Sequence, residues 1–507
     1  MKVLISYPPI VNSLGQKAMV SQNRNVQYFS VPTYLLGITH AQAATMLKEN
    51  NIEVIWDDGN AQLKTFEKWF EDLINHKPDL VVFESTTPIM NFMWEVTKMV
   101  KEKLKNCLIV MTGYHSMRKP EETILNSETD IVILSNHVDF VLNKLVQELK
   151  ENQNLRLDEL KVDSVCFKNS IGEIINNKSF KKIENINNSS IIDRDLVQWK
   201  NYAYENGNFL QTPGTYATSV IRDCTFGKCT FCRYNGPELS FSIMQIKKSV
   251  DEYEKLIENY GVKEIFDDSG VWYRGKDARD FANEIIKRGL HKKNCYFGFN
   301  TRFEYLDEDT IKLLSKANFR FVLIGLESGS NETLSKLKKG YTRETVVKTL
   351  TLMKRYGLHP HLTIMVGYYW ETQEMLNETV EFVKELMFGG LSRTLQVTLC
   401  TPLDYTPYHE ECIKEEKLIA KNYHDHDMSK LIVKTPIDHQ KYYDAVKKMY
   451  FIAFHPRFIL RQLLFLFTFR KRDWQFLLTY SIRAIRRVKQ HVFNLTVAKT
   501  SHNNEKI

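Results

Sequence analysis

The chain has 507 residues, 43% apolar and 26% charged, which is enough to bury several cores and unlike the composition of disordered or fibrous proteins. Its formal net charge is +8, and nine basic residues between Phe454 and His491, set against Asp473 alone, account for the whole excess, so the remainder is near neutral and a general nucleic-acid-binding surface is excluded. The start "MKVLISYPPI" is too short in its apolar run for a secretory core, so the eight cysteines are expected in a reducing, cytoplasmic setting where clustered thiols ligate metal more often than they pair.

Residues 1–150 alternate apolar runs with amphipathic stretches. "KVLISY", "IEVIW", "DLVVFES", "CLIVMTG" and "DIVILS" read as strands, and 34–50 places Leu35, Ile38, Ala41, Thr45 and Met46 at helical spacing. Five such units predict an α/β domain of flavodoxin-like, doubly wound type, which takes its ligand at the carboxyl ends of its strands. Those ends carry Tyr7, Pro8 and Pro9, then Ser85, Thr86 and Thr87 of "ESTTP", then Gly113, Tyr114 and His115 of "TGYH". No G-x-G-x-x-G follows the first strand, so a dinucleotide is not the expected ligand. Residues 151–210 read as a connector, with a hairpin turning at Gly172 in "SVCFKNSIGEII".

Over 211–400 the rhythm resumes with "YATSVI", "EIFDD", "YFGFNTR", "FVLIGLES", "HLTIMVGYY" and "LQVTLC". Helices between them have clear ends: 306–316 opens on Asp307 and Glu308, and 342–356 stops at Gly357. Six units fall short of the eight of a closed barrel, so a partial (β/α)6 TIM-type barrel is predicted. Residues 401–507 are expected to be mainly helical with a basic amphipathic tail. The tail's longest uncharged runs, 462–469 and 474–482, are far below the roughly 20 residues that span a bilayer, which leaves a membrane-surface contact or a helical cap on the barrel as its two readings. His424, Asp425, His426 and Asp427 read as a solvated turn rather than a metal site, since no ligand pair at helical spacing accompanies them.

The densest chemistry is "RDCTFGKCTFCRYNG", 222–236, with Cys224, Cys229 and Cys232 in one loop. Structural zinc would need a fourth ligand, which only a distant residue such as Cys295 or a histidine could bring. Buried packing thiols are ill suited to a loop that also carries Arg222, Asp223, Lys228 and Arg233. The third reading is an iron-sulfur cluster with three protein ligands and one open iron.

At this point the sequence resembles the radical S-adenosylmethionine (SAM) enzymes, whose three cysteines stand in the first loop of a partial barrel at intervals of three and two residues. Here the first interval is four, with the added residue near Gly227. The resemblance implies a 4Fe-4S cluster on Cys224, Cys229 and Cys232. It implies SAM contacts from Phe231, from Asp267 and Asp268 of "EIFDDSG", from Arg302 of "NTR" toward the methionyl carboxylate, from Glu327 and Ser328 of "IGLESGSNETL", and from Gly367 of "MVGYYWET".

The first domain is similar to that of the cobalamin-binding subclass, in which "TGYHSMRKPEETI" resembles a Gly-Gly-x-His element followed by Pro-Glu-Glu. The nine strand-end residues Tyr7 to Pro9, Ser85 to Thr87 and Gly113 to His115 are then its cobalamin-binding candidates. No Asp-x-His-x-x-Gly loop is present, which implies cobalamin held without its nucleotide base on cobalt. A flavodoxin-like regulatory or nucleotide module is the other reading of this domain. The implied reaction is reductive cleavage of SAM to a 5′-deoxyadenosyl radical, with methylation of an unactivated carbon as the leading outcome and cyclisation or ring rearrangement of tetrapyrrole or lipid type as the alternative. A non-catalytic, metal-stabilised ligand sensor is the reading from another class. The implied partners are a small-molecule, lipid or peptide substrate and an electron donor of flavodoxin or ferredoxin type, with no nucleic acid.

Overall fold

In the computed structural model of the protein, which describes residues 1–12, 15–21, 24–29, 33–151, 157–177, 185–234, 241–468 and 482, the apolar runs become strands in chain order. The first half holds β1 (Lys2–Tyr7), a hairpin of β2 (Lys17–Ser21) and β3 (Arg24–Phe29), β4 (Glu53–Asp58), β5 (Leu80–Glu84), β6 (Leu108–Thr112), β7 (Ile131–Ile133), β8 (Val165–Lys168) and β9 (Ile174–Asn177). One sheet orders them β4-β1-β5-β6-β7-β8-β9, and its first five strands are parallel. Helices cover both faces, so a central strand such as β5 is buried along its length and reads as an unbroken apolar run. The winding reverses between β1 and β5, and an open parallel sheet has its ligand crevice at that reversal.

Two features depart from the sequence reading. The hairpin predicted within the connector forms as β8 and β9, but it also pairs antiparallel with β7 and so extends the first sheet. The helix expected over 34–50 runs over Ile38–Glu49, because the backbone at Gly37 passes against Tyr7: a Cβ there would lie 2.3 Å from the tyrosine hydroxyl.

The second half holds β10 (Gly214–Tyr216), β11 (Ile221–Arg222), β12 (Ser242–Ile243), β13 (Glu264–Asp267), β14 (Tyr296–Thr301), β15 (Phe319–Glu327), β16 (His359–Val366) and β17 (Thr394–Leu399). Six of them form a parallel sheet ordered β10-β13-β14-β15-β16-β17, the predicted partial barrel. The run "YATSVI" does not stay in it. Ala217 N–H still donates to Phe266 O, but Val220 N–H goes to the Asp267 carboxylate and Ile221 N–H to Ser269 Oγ. Side chains at the end of β13 thus replace the ladder, and β11 leaves to pair antiparallel with β12. That pair brackets the cysteine loop.

Helices at Pro407–Lys414, His439–Phe451 and Pro456–Thr468 follow the barrel. No helix among the described residues is long and apolar enough to cross a membrane. The basic tail foreseen over 457–491 lies outside the described residues beyond Thr468, Ile482 excepted. At "HDHD", Asp425 accepts the N–H groups of Lys421 and Asn422 and pairs with Lys430 at 2.7 Å, as a turn-capping carboxylate does.

Candidate active site

The cysteine loop leaves the barrel at its carboxyl-terminal end, between β11 and β12, and arginines tie both of its ends to the first domain. At the entrance Arg222 is buried and grips Asp139 with two bonds of 2.6 Å, one from each terminal nitrogen. Its second terminal nitrogen also reaches Gln42 at 2.9 Å, and Ser189 donates to the same Asp139 at 2.5 Å. Burial works against the charge of Asp139, yet the guanidinium holds it below the usual carboxylate range. At the exit Arg233 lies over the Tyr114 ring at 4.6 Å, and the Tyr114 hydroxyl donates to Arg233 O. The Asn235–Gly236 end of the motif lies outside the described residues.

Between these anchors the three thiols suit an iron-sulfur core. Burial first, then the neighbouring cysteine Cys229, pushes the Cys232 thiol up to about 12, and burial likewise raises Cys224. Without a counter-charge both stay protonated. The backbone N–H groups of Phe226 and Gly227 bond to Cys224 and that of Tyr234 to Cys232, donors that stabilise sulfur once it is anionic. Among the described residues no three His, Cys, Asp or Glu side chains are close enough to share one metal ion. A 4Fe-4S cluster takes each thiolate on a different iron and does not require that convergence. Cys295, the distant fourth ligand considered for zinc, is buried just before β14, at the opposite end of the barrel.

Apart from Phe231, which stands in the cysteine loop, the predicted SAM residues stand at the carboxyl ends of β13 to β16. Asp267 accepts from Val220 N–H and Ser269, and burial pushes it to about 7 despite those bonds. Asp268 accepts from Asn300 at 2.8 Å. Glu327 closes β15 with a positive φ of 62°, a conformation unfavourable for a side-chain-bearing residue. Ser328 shares a 3.0 Å bond with Thr379, and Gly367 N–H donates to the buried Glu371 at 2.6 Å. Phe231 packs with Leu337, Tyr368 and Tyr408.

Arg302 is held on three sides. Its Nε reaches Glu304 at 2.5 Å, one terminal nitrogen reaches Cys229 Sγ at 3.6 Å, and the other bonds to Lys339 O, while the group lies 3.5 Å over Phe226. Lys339 is the residue that sequence reasoning missed. Its ammonium is buried, pairs with Glu327 at 3.0 Å and lies over the Phe231 and Tyr341 rings. Burial opposes its charge, but Glu327 and Tyr341 outweigh that and keep it protonated. No strand end marks it in "LKKGYT", so only the folded chain places it here.

The nine predicted cobalamin residues gather on the loops after β1, β5 and β6. Gly113 has φ 101°, and a Cβ on it would sit 2.1 Å from Ser85 O, so these two loops touch backbone to backbone. Ser85 is tied to Thr112 O and Ser116, whereas Thr86 Oγ1 is buried without a partner. Thr87 bonds His115 at 3.1 Å, and the imidazole, kept neutral by burial, meets Tyr423 of the carboxyl-terminal region edge-on. Pro8 O accepts from Asn60, and Pro9 packs against Gly59.

A cleft open at its mouth separates the two domains here. Leu35, Gly37, Glu84 and Asn136 border it from the first, and Arg222, Asp223 and Asp268 from the second. None of the nine lines it directly; Tyr7 stands behind Glu84 and donates to it at 3.0 Å. Glu84 Oε1 has no partner, and burial pushes Glu84 up to about 7. Sequence reading quoted Glu84 at the head of "ESTTP" but assigned it no role.

The Radical SAM superfamily model matches residues 218–383. Among solved structures, the cobalamin-dependent SAM radical enzyme OxsB with aqua-cobalamin and SAM bound superposes with a TM-score of 0.66, at 16% identity over 97% of this chain and 71% of that one. Residues 218–383 carry a radical SAM domain, and the chain as a whole has the fold of a cobalamin-dependent radical SAM enzyme. The radical SAM methyltransferase TsrM of Kitasatospora setae, with cobalamin and a [4Fe-4S] cluster, shares its fold end to end, with a TM-score of 0.66 at 14% identity over 97% of this chain and 99% of TsrM. By sequence, an uncharacterised methyltransferase of Pyrococcus horikoshii is 25% identical over 83% of this chain and 85% of its own length. The anaerobic magnesium-protoporphyrin IX monomethyl ester cyclase of Cereibacter sphaeroides is 26% identical over 70% of this chain and 56% of the cyclase. A radical SAM barrel accounts for the cysteine loop, and its cofactors are a 4Fe-4S cluster and SAM.

Proposed function

We propose that this radical SAM enzyme is a cobalamin-dependent methyltransferase acting on an unactivated carbon of a small-molecule, lipid or peptide substrate. The observation that carries the reading is the double anchorage of the cysteine loop, through Arg222 and Arg233, on the domain whose ligand crevice faces it. Two cofactors that must meet need their carriers held in register, and a cleft bordered by Glu84 on one side and Asp268 on the other is where they would meet.

When bound, the cluster supplies the electron that splits the SAM sulfonium, and cobalamin supplies a methyl carrier. Cys224, Cys229 and Cys232 would hold the cluster. Lys339 would take the methionyl carboxylate, because its buried ammonium stands beside Cys229 and the Phe231 ring, whereas Arg302 is held by Glu304, Cys229 and the Lys339 carbonyl. Glu327, Asp268 and Ser328 would orient the rest of SAM. On the other side of the cleft, Glu84, which burial raises to about 7, presents a carboxyl to whatever lies over the β1 and β5 ends, and the Gly113–Ser85 contact keeps the loops below it low.

Anaerobic reconstitution with iron, sulfide and hydroxocobalamin tests this. Wild type should give S-adenosylhomocysteine only when cobalamin is loaded, together with 5′-deoxyadenosine, and Cys229→Ala should give neither. 5′-Deoxyadenosine without cobalamin-dependent S-adenosylhomocysteine would place the chain with the ring-forming relatives. No SAM consumption by a cluster-loaded protein would leave the sensor reading.

A further inference from the structure

At the end of the barrel opposite the cysteine loop, positive charge collects around Lys354, Arg457 and Arg461. Lys354, in the last turn of the helix Arg343–Tyr356, and Arg461, on the helix Pro456–Thr468, both donate to one carbonyl, Gly389 O, at 2.9 Å each. Arg457 lies over the Phe388 ring at 5.4 Å, and Arg393 stands just ahead of β17. Among the described residues, Lys354, Arg457 and Arg461 enter no ion pair. Burial, then the nearness of Arg461 and Arg393, pulls the Lys354 ammonium below its ordinary value.

The same helix is apolar on its outer side. Phe458 is buried against the barrel, while Ile459, Leu460 and Leu463 are 45%, 58% and 50% exposed. Leu463 follows Ile459 by four residues and Leu460 by three, which puts these three on one face. From His455 to Arg472 the sequence has five basic residues and no acidic one. A second copy of the chain is a poor occupant: a two-fold contact would set this basic rim against itself. An apolar face rimmed by cations matches a surface that is greasy beneath and negative above.

We propose that this face rests on the surface of an anionic phospholipid bilayer, with Ile459, Leu460 and Leu463 at the headgroup–acyl boundary and Lys354, Arg457 and Arg461 at lipid phosphates. The contact lies on the membrane and does not span it. Because it sits at the amino-terminal ends of the barrel strands, the cleft at the opposite end stays open to water.

The test is co-sedimentation of the full-length, cluster-loaded protein with phosphatidylcholine vesicles and with vesicles containing added phosphatidylglycerol. Pelleting is expected with the anionic vesicles alone. The double variant Leu460→Asp/Leu463→Asp should abolish it, and Lys354→Gln/Arg457→Gln should weaken it by about fivefold per charge removed. Both variants should keep wild-type SAM cleavage, since they alter exposed groups remote from the cysteine loop, so failure here leaves the enzymatic reading intact. Equal pelleting with both vesicle types, pelleting with neither, or unchanged pelleting of the leucine variant would overturn the proposal. So would a wild-type dimer in gel filtration that the leucine variant converts to monomer, because the face would then belong to a second copy.

Discussion

Lys339 and Arg302 show how two cations of similar position divide their work. Arg302 is pinned by Glu304, Cys229 and the Lys339 carbonyl, whereas the Lys339 ammonium bonds Glu327 and Tyr341 and keeps one further donor hydrogen beside Cys229 and Phe231. Removing a buried charged hydrogen-bond donor costs about 1.5–3 kcal/mol, so Lys339→Ala should weaken SAM binding roughly 10- to 150-fold while the cluster absorbance is retained. Equilibrium dialysis with SAM, on variant and wild type of equal iron content, reads this directly; unchanged affinity would return the carboxylate to Arg302. Glu84 offers a proton-linked test. Burial raises its folded-state value from 4.5 to about 7, with Asp58 adding and the Tyr7 hydroxyl opposing. A carboxyl whose folded value is raised stabilises fully below its unfolded value and loses that contribution as pH rises through the folded one. Wild type should therefore lose up to about 3 kcal/mol between pH 4.5 and 7 that Glu84→Gln does not lose. Urea midpoints of both proteins at the two ends of that window decide it, and parallel pH profiles would place Glu84 in contact with water.

Elements differ in how far local sequence announces them. β1, β5 and β6 were legible because central parallel strands are covered on both faces and so are written as apolar runs, and the edge strand β4 because its carboxyl-terminal half is buried. Helix ends were legible where a side chain does the capping, as Asp307 does for Thr310 N–H. The β2–β3 hairpin was not, since "KAMVS" and "RNVQYF" carry no apolar run of that kind. The connector hairpin was legible as a hairpin, but not its pairing with β7, because register across a sheet is set by partners far away in sequence. The same limit applies at the site. Cysteines, acids and glycines on strand ends could be named because few residue types serve that chemistry. Glu84 and Asn136 could not, because their roles exist only once two domains close around a shared cleft, and neither could Lys339, which meets Glu327 and Phe231 only when the barrel folds.

At the scale of the whole molecule, the domains are joined where the chemistry is. Arg222 precedes the first cysteine by two residues and reaches Asp139, Gln42 and Ser189, none of which belongs to the barrel. A clamp there makes the position of the cluster loop depend on the docking of the first domain, which a clamp elsewhere on the interface would not do. Replacing one partner of a buried pair strands the other as an uncompensated charge, at about 3–5 kcal/mol. Arg222→Met should therefore destabilise the protein by that amount, and Arg222→Met/Asp139→Leu should recover most of it, because the stranded carboxylate is gone. Function should not recover with stability. In the double variant the loop entrance has lost its tie to the first domain, so cobalamin-dependent S-adenosylhomocysteine formation should fall well below that of wild type at equal cluster and cobalamin content. Thermal midpoints and product ratios of the three proteins separate the two effects. Recovery of both together would reduce Arg222 to a stabilising pair, and recovery of stability alone is the outcome that a positional clamp requires.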